Sequence, residues 1–275
     1  MQRIRAPSTP EQGSPVIYLQ HGILSTADCW IGNYAHNSPA FVFALEGFDV
    51  WLGNNRGTTH SLKHKTLDPS KDKEFWNYSF VDLGKFDVPA QIEFALNSTA
   101  EEKLTYIGHS QGTTQMFFAL AENEDYLKER VNLFIALAPV IRLSNAKDGL
   151  LGYVSDHESY VESALSKLGI HDLFSHDWDR RYGFKMICNV IPFLCSTGKY
   201  FFITSQTDYN DQSRINISSS KFPGGTSVKQ LIHFAQLIKD TSFQYFNYRD
   251  PELNEAAYGP EFRDQPPTID LTRIQ

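Results

Sequence analysis

The pentapeptide Gly108-His109-Ser110-Gln111-Gly112 carries the plainest chemistry in this sequence. It follows a β-prone run, Leu104 to Ile107, and precedes a helix-prone run that reaches Ala121. That order predicts strand, tight turn and helix, with the serine at the turn. The backbone of such a serine is strained, and the flanking glycines are needed because a Cβ at either would collide with the adjoining strand and helix. The hydroxyl stands at a helix N-terminus, where free N–H groups and the helix dipole favour developing negative charge. This is the layout of a nucleophile elbow, with Ser110 as the candidate nucleophile. The bare G-x-S-x-G pattern also arises by chance, so its weight comes from the strand and helix around it.

A second stretch fits the same chemistry. Val16-Ile-Tyr-Leu-Gln20 is a short apolar strand that runs into His21-Gly22-Ile23-Leu24. A His-Gly pair at a strand end lets the backbone turn, so that the N–H of Ile23 can face a reacting carbonyl oxygen. Read alone, the same residues are an ordinary strand-end turn. Beside the elbow they make the second half of an oxyanion hole.

The elements that must position these groups follow an alternating pattern. Strands are predicted at 16–20, 49–53, 104–107 and 133–138, with helical stretches between them: 40–46, 85–96 and the elbow helix, which Asn123-Glu-Asp125 breaks. The pattern is that of a parallel sheet in an α/β fold, whose sites lie at the carboxyl ends of strands. Both His21-Gly22 and Ser110 fall there. The first fifteen residues read as a polar, Pro-rich tail or loop. Residues 143–228 lack strand alternation and read as a helical cap or lid inserted into the core. This gives three parts: a core over 1–142, the insertion over 143–228, and a return to the core over 229–275, opened by an amphipathic helix ending at Lys239.

Composition narrows the function classes. The 275 residues are 41% hydrophobic and 21% charged, with a net charge of −7 that argues against nucleic acid as a partner. The longest apolar run, about Leu133 to Ile141, is far short of the ~18 residues of a membrane span. The N-terminus has no apolar stretch of the signal-peptide kind. Three cysteines do not make a disulfide framework. Cys188 and Cys195 would close a small loop in an oxidising compartment and would be two buried thiols elsewhere. Sequons stand at Asn77, Asn97 and Asn216, with Asn97 in the most polar context.

Taken together, these segments resemble the acid lipase family, the gastric and lysosomal lipases and cholesteryl esterases of the α/β-hydrolase fold. Leu19-Gln-His-Gly-Ile23, Phe48-Asp-Val-Trp-Leu-Gly-Asn-Asn-Arg-Gly57, Lys63-His-Lys65, Phe86-Asp-Val-Pro-Ala90, Gly108-His-Ser-Gln-Gly-Thr-Thr114 and Gly224-Gly-Thr-Ser-Val228 are similar to its signatures, and they span nearly the whole chain. The resemblance implies a mostly parallel sheet with a helical lid over an acyl pocket. It implies hydrolysis of neutral lipid esters at a lipid–water interface through a Ser110 acyl-enzyme, with the backbone N–H groups of Ile23 and Gln111 as the oxyanion hole and without cofactor or metal. It also places a cysteine pair near Cys188 and Cys195 and points to a secreted or lysosomal setting, the one in which the sequons at Asn97 and Asn216 would be candidate glycosylation sites.

One departure stands out. The family carries its catalytic acid and histidine on later strands, beyond the Pro-rich segment that here reads Gln265-Pro-Pro-Thr268, and this chain ends at Gln275. The fold requires the order serine, acid, histidine. His233 is the sole late histidine, and it lies within the amphipathic helix. Asp148 and Asp208 would have no other partner. His109 would point away from the serine, and His157, His171 and His176 fall in the insertion. The resemblance also implies two opening strands, with Met1-Gln-Arg-Ile4 within the second, so the expectation is a chain shortened at both ends, without the last strands, the triad acid and the base, and nearly inactive by itself. The competing reading is a non-catalytic hydrolase-like protein that binds lipid or a partner.

Overall fold

Val16–Gln20 is buried along its whole length. A strand so covered needs neighbours on both edges and helices on both faces. It is β2 of a five-stranded sheet that also contains β1 (Gln2–Ile4), β3 (Asp49–Leu52), β4 (Leu104–His109) and β5 (Val131–Leu137), in the order β1-β3-β2-β4-β5. All pairings are parallel except that of β1 with β3. The structure is a computed structural model and describes residues 1–10, 12–146, 149–175, 221–240 and 242–274. Cys188, Cys195, Asn216, His176, Asp148 and Asp208 lie outside the described residues, as does most of the expected insertion.

Alternation along β2 divides the core between the two faces of the sheet. Val16 and Tyr18 join Leu104 and Tyr106 on the face covered by α2 (Val88–Thr99) and α3 (Gln111–Lys128), through Val88, Ile92, Met116 and Ala119. Ile17 and Leu19 face the other way, against α1 (Pro39–Leu45) and the turn at Ala27 and Trp30. Four observed strands lie where the period of the sequence placed them.

Two local differences have physical causes. The segment read as an N-terminal tail contains β1, because Arg3 forms an ion pair with buried Asp49 and lies over the Trp51 ring, while Ile4 packs beside the Leu52 cluster. The break at Asn123 is a kink, with φ −149° and ψ 58°, and α3 resumes as far as Lys128. Leu127, buried beyond the kink, ties that last turn to the core.

A second layer is built from α4 (Gly149–Asp156), α5 (Glu158–Lys167) and α6 (Val228–Lys239). Leu231, Ile232 and Ala235 of α6 pack on Val154, Val161 and Leu165. Phe234 and Leu237 face Phe80 and Phe118 instead, so α6 is apolar on two sides and buried between them. A short antiparallel pair, β6 (Asp172–Leu173) with β7 (Thr226–Ser227), joins the start of α6 to the end of the α5 segment. Buried Glu158 receives Arg249 Nη2 at 3.1 Å and Gln236 Nε2 at 2.8 Å. The helix α7 (Pro251–Tyr258) is capped by Asp250, which accepts from the N–H groups of Glu252 and Leu253. Among the described residues no helix is long and apolar enough to cross a membrane.

Phe80 joins these layers. It is fully buried, stacks on His233 at 4.1 Å and on Phe243 at 5.5 Å, and meets Phe118 edge-on at 6.5 Å. Phe80→Ala is expected to destabilise the protein by about 3–5 kcal/mol, read as a lower denaturant midpoint. A change below about 1 kcal/mol would mean that the two layers do not rely on this ring.

Candidate active site

Ser110 joins β4 to α3 with φ +52° and ψ −120°, a conformation that disfavours any side chain. Its neighbours hold it there. Ser110 N–H donates to the Leu137 carbonyl at 3.0 Å, and its own carbonyl accepts from Thr113 N–H at 2.8 Å and Thr113 Oγ1 at 2.6 Å. Thr113 Oγ1 in turn accepts from Val140 N–H, and Thr114 Oγ1 donates to the Val140 carbonyl, so the segment after β5 is tied to the turn.

The two glycines are there for want of space. A Cβ on Gly108 would lie 2.6 Å from the Gly112 carbonyl oxygen, and one on Gly112 would lie 2.6 Å from the Gln20 carbonyl oxygen. The start of α3 thus packs backbone to backbone on the end of β2. Tyr106 Oη donates to the Gly112 carbonyl at 2.9 Å and fixes the same contact from beneath. Gly22 completes it, since a Cβ there would stand 3.0 Å from Ser110 Cβ. Ser110, Gln111, Gly22 and Ile23 therefore gather at the carboxyl ends of β2 and β4. Ser110 is half-buried and the side chain of His109 is exposed.

The loop after β2 is held by buried polar groups. His21 is 1% exposed; its Nδ1 lies 2.7 Å from the Gly22 carbonyl oxygen, and its Nε2 accepts the Asn55 N–H at 3.1 Å. Asn55 pairs its side-chain amide with that of Gln115, at 3.0 and 3.2 Å, and accepts from Gln20 Nε2 at 3.1 Å. Asn54 Oδ1 accepts Ala27 N–H at 3.0 Å, and Arg56 forms an ion pair with Asp87. From the other side Gly224 packs against Ser25 and Thr26, its N–H donating to the Leu24 carbonyl at 2.7 Å. Leu24 itself has φ +59°. The His21 ring, Asn54-Asn55 and Gly224 were not singled out as site residues by sequence reasoning. A buried Asn-Asn pair following a strand was the available signal, but composition cannot tell it from a surface loop.

The histidines considered as bases lie elsewhere. His233 is fully buried in α6, its Nε2 3.0 Å from the Gln244 carbonyl oxygen. His157 stacks on Tyr153 with Nδ1 3.0 Å from that residue's carbonyl oxygen, and His171 lies beside β6. Among the described residues the Ser110 hydroxyl has no hydrogen bond to a histidine, and no cluster of His, Cys, Asp or Glu is arranged to hold a metal.

The sequence model of the alpha/beta hydrolase fold family matches residues 15–161, which include β2 through β5 and the turn at Ser110. The chain belongs to the α/β-hydrolase family. Within it the chain is similar to the gastric triacylglycerol lipase of Rattus norvegicus, 36% identical over 94% of this chain and 64% of that protein. It is similar also to the lysosomal acid lipase/cholesteryl ester hydrolase of Homo sapiens, 35% identical over 94% of this chain and 63% of that one. The lipase lipl-3 of Caenorhabditis elegans is 32% identical, with 97% and 65% covered. The chain thus spans just under two thirds of the length of these relatives.

Burial in this chain lowers the pKa of His21 to about 4 and that of His233 to about 3. An unfolded histidine titrates near 6.5, so below that pH the unfolded chain binds protons that the folded chain excludes. Stability contributed by the two neutral rings is complete above pH ~6.5 and declines by several kcal/mol towards pH ~4. Denaturant midpoints should fall steadily from pH 7 to 4, with a shallower fall in His233→Phe. A profile that stays flat over this range would contradict neutral burial of these rings.

Proposed function

We propose that the protein is a carboxylic ester hydrolase of neutral lipids, triacylglycerols or cholesteryl esters, with Ser110 as its nucleophile. The observation that carries this reading is the positive φ of Ser110 at the head of α3, with Gly22 packed against it. In that arrangement Ser110 Oγ attacks the ester carbonyl, and the N–H groups of Ile23 and Gln111 receive the charge that develops on its oxygen. The tetrahedral species collapses to an acyl-serine with loss of the alcohol, and water then releases the fatty acid. The general base and its carboxylate partner are assigned outside the described residues: none of the described histidines is hydrogen-bonded to Ser110, and His60, which pairs with Asp28, precedes the serine, contrary to the serine, acid, histidine order of the fold. The names of the relatives support a lipid ester as substrate and a secreted or lysosomal setting. In that setting the exposed Asn97 is a glycosylation site.

On the reading that the base lies beyond these 275 residues, the serine of the chain by itself keeps its proton at neutral pH. The isolated 275-residue chain is therefore expected to turn over p-nitrophenyl butyrate on the order of 10⁶ more slowly than a complete triad would, leaving ~10³–10⁴ over water from the oxyanion donors and binding. Rat gastric lipase measured alongside supplies the yardstick, and Ser110→Ala the control. Lipase-like turnover that Ser110→Ala abolishes would place the base within this chain. Turnover that ignores Ser110→Ala would remove Ser110 from the mechanism. Binding of emulsified triolein with no turnover by the natural protein would return the non-catalytic reading.

A further inference from the structure

The Gly22–Ile23 peptide is held at one end only by groups that leave its N–H free. The Gly22 carbonyl oxygen is approached by His21 Nδ1 at 2.7 Å and accepts Ser25 N–H at 3.2 Å. The Ile23 N–H has no hydrogen-bond acceptor among the described residues. A trans peptide points its N–H opposite to its C=O. Whatever fixes the Gly22 carbonyl therefore also aims the Ile23 N–H.

The partners of the ring settle its tautomer. A backbone N–H can only donate, so His21 Nε2, which accepts from Asn55 N–H at 3.1 Å, carries no proton. The proton of the neutral ring is then on Nδ1, facing the Gly22 carbonyl. Asn55 is itself clamped to Gln115 and Gln20. The chain of contacts runs from the elbow helix through Asn55 and the imidazole to the peptide above Ser110. His60, Asp28 and His109 are the titratable groups whose charge reaches this ring.

We propose that His21 is a positioning residue for ester hydrolysis: its Nδ1–H anchors the Gly22 carbonyl, which turns the Ile23 N–H toward the oxyanion formed at Ser110. The assignment rests on the acyl-transfer reading above. The ring is 1% exposed and spends both its nitrogens on the backbone of Gly22 and Asn55, not on Ser110. It works by preorganisation, because a donor already aimed at the developing charge needs no reorientation during the reaction.

Two near-isosteres separate this role from simple packing. In His21→Asn the amide nitrogen replaces Nδ1 and keeps the bond to Gly22. In His21→Gln the amide oxygen replaces Nε2 and keeps the bond from Asn55, while the donor to Gly22 is lost. In the natural protein with p-nitrophenyl butyrate, His21→Gln is expected to lower kcat by about 10²-fold, the scale of one lost oxyanion donor, with KM nearly unchanged. His21→Asn should keep most of kcat. Equal losses in both variants, or a harmless His21→Gln, would overturn the proposal. Ser110→Ala in the same assay tests the acyl-transfer reading separately: if turnover survives it, that reading fails, whatever the His21 variants do. A second measurement needs neither activity nor a variant. The imidazole ¹⁵N shifts of the unmodified chain should report a neutral Nδ1–H ring at pH 7, and a charged ring or an Nε2–H tautomer would overturn the assignment.

Discussion

The close approach of two backbones governs this structure. The first turn of α3 lies on the end of β2 so tightly that Gly112 has no space for a methyl group beside the Gln20 carbonyl. That contact sets where α3 begins, and Ser110 is the residue that must bend to make the connection. The strain at φ +52° is sustained because everything around the turn is over-determined: Leu137, Val140 and Tyr106 each bind a group within four residues of the serine. The sheet, the helix and the residues after β5 all meet at one point, and what they leave accessible there is a hydroxyl at a helix N-terminus.

Much of this arrangement was legible in the residue order. Apolar runs bounded by Gly, Asn and Pro gave the strands, and their spacing gave the parallel sheet, because a buried strand admits little except β-branched and aromatic residues. The elbow could be read because its glycines answer a local steric demand. Gln2–Ile4 was legible as a strand only through the family resemblance, since three residues carry no period of their own and their pairing with β3 relies on the distant Asp49. His21 and Asn55 were equally opaque. They meet through a hydrogen bond between residues 34 apart in sequence, and nothing in a single sequence marks which buried polar groups will meet. His233 was the converse case: the amphipathic pattern of its helix indicated a packed ring, and its stacking on Phe80 has the same origin.

The buried polar groups beneath the site are uncharged, and the physics of desolvation explains the choice. Gln20, Asn55 and Gln115 are each at most 2% exposed, and so is His21. An ion buried at such a place costs several kcal/mol even after relaxation, whereas a paired amide costs little once both its donor and its acceptor are satisfied. A fixed charge beneath the proposed oxyanion donors would also impose its own field on the negative charge that ester attack would develop there. Amides and a neutral imidazole instead supply oriented dipoles that hold the backbone and leave the local net charge at zero. The charged pairs of this region are set further out: Arg56 with Asp87 reaches partial exposure, and Arg3 with Asp49 sits at the far end of the strand. On the proposed acyl-transfer reading, the arrangement leaves the electrostatics of the turn to the Ile23 and Gln111 N–H groups and to the helix dipole behind them. A protein that needed only to fold would have filled the same space with aliphatic side chains at lower cost. Retaining five interlocked polar contacts under a strained serine is the pattern expected where backbone N–H groups must hold their direction.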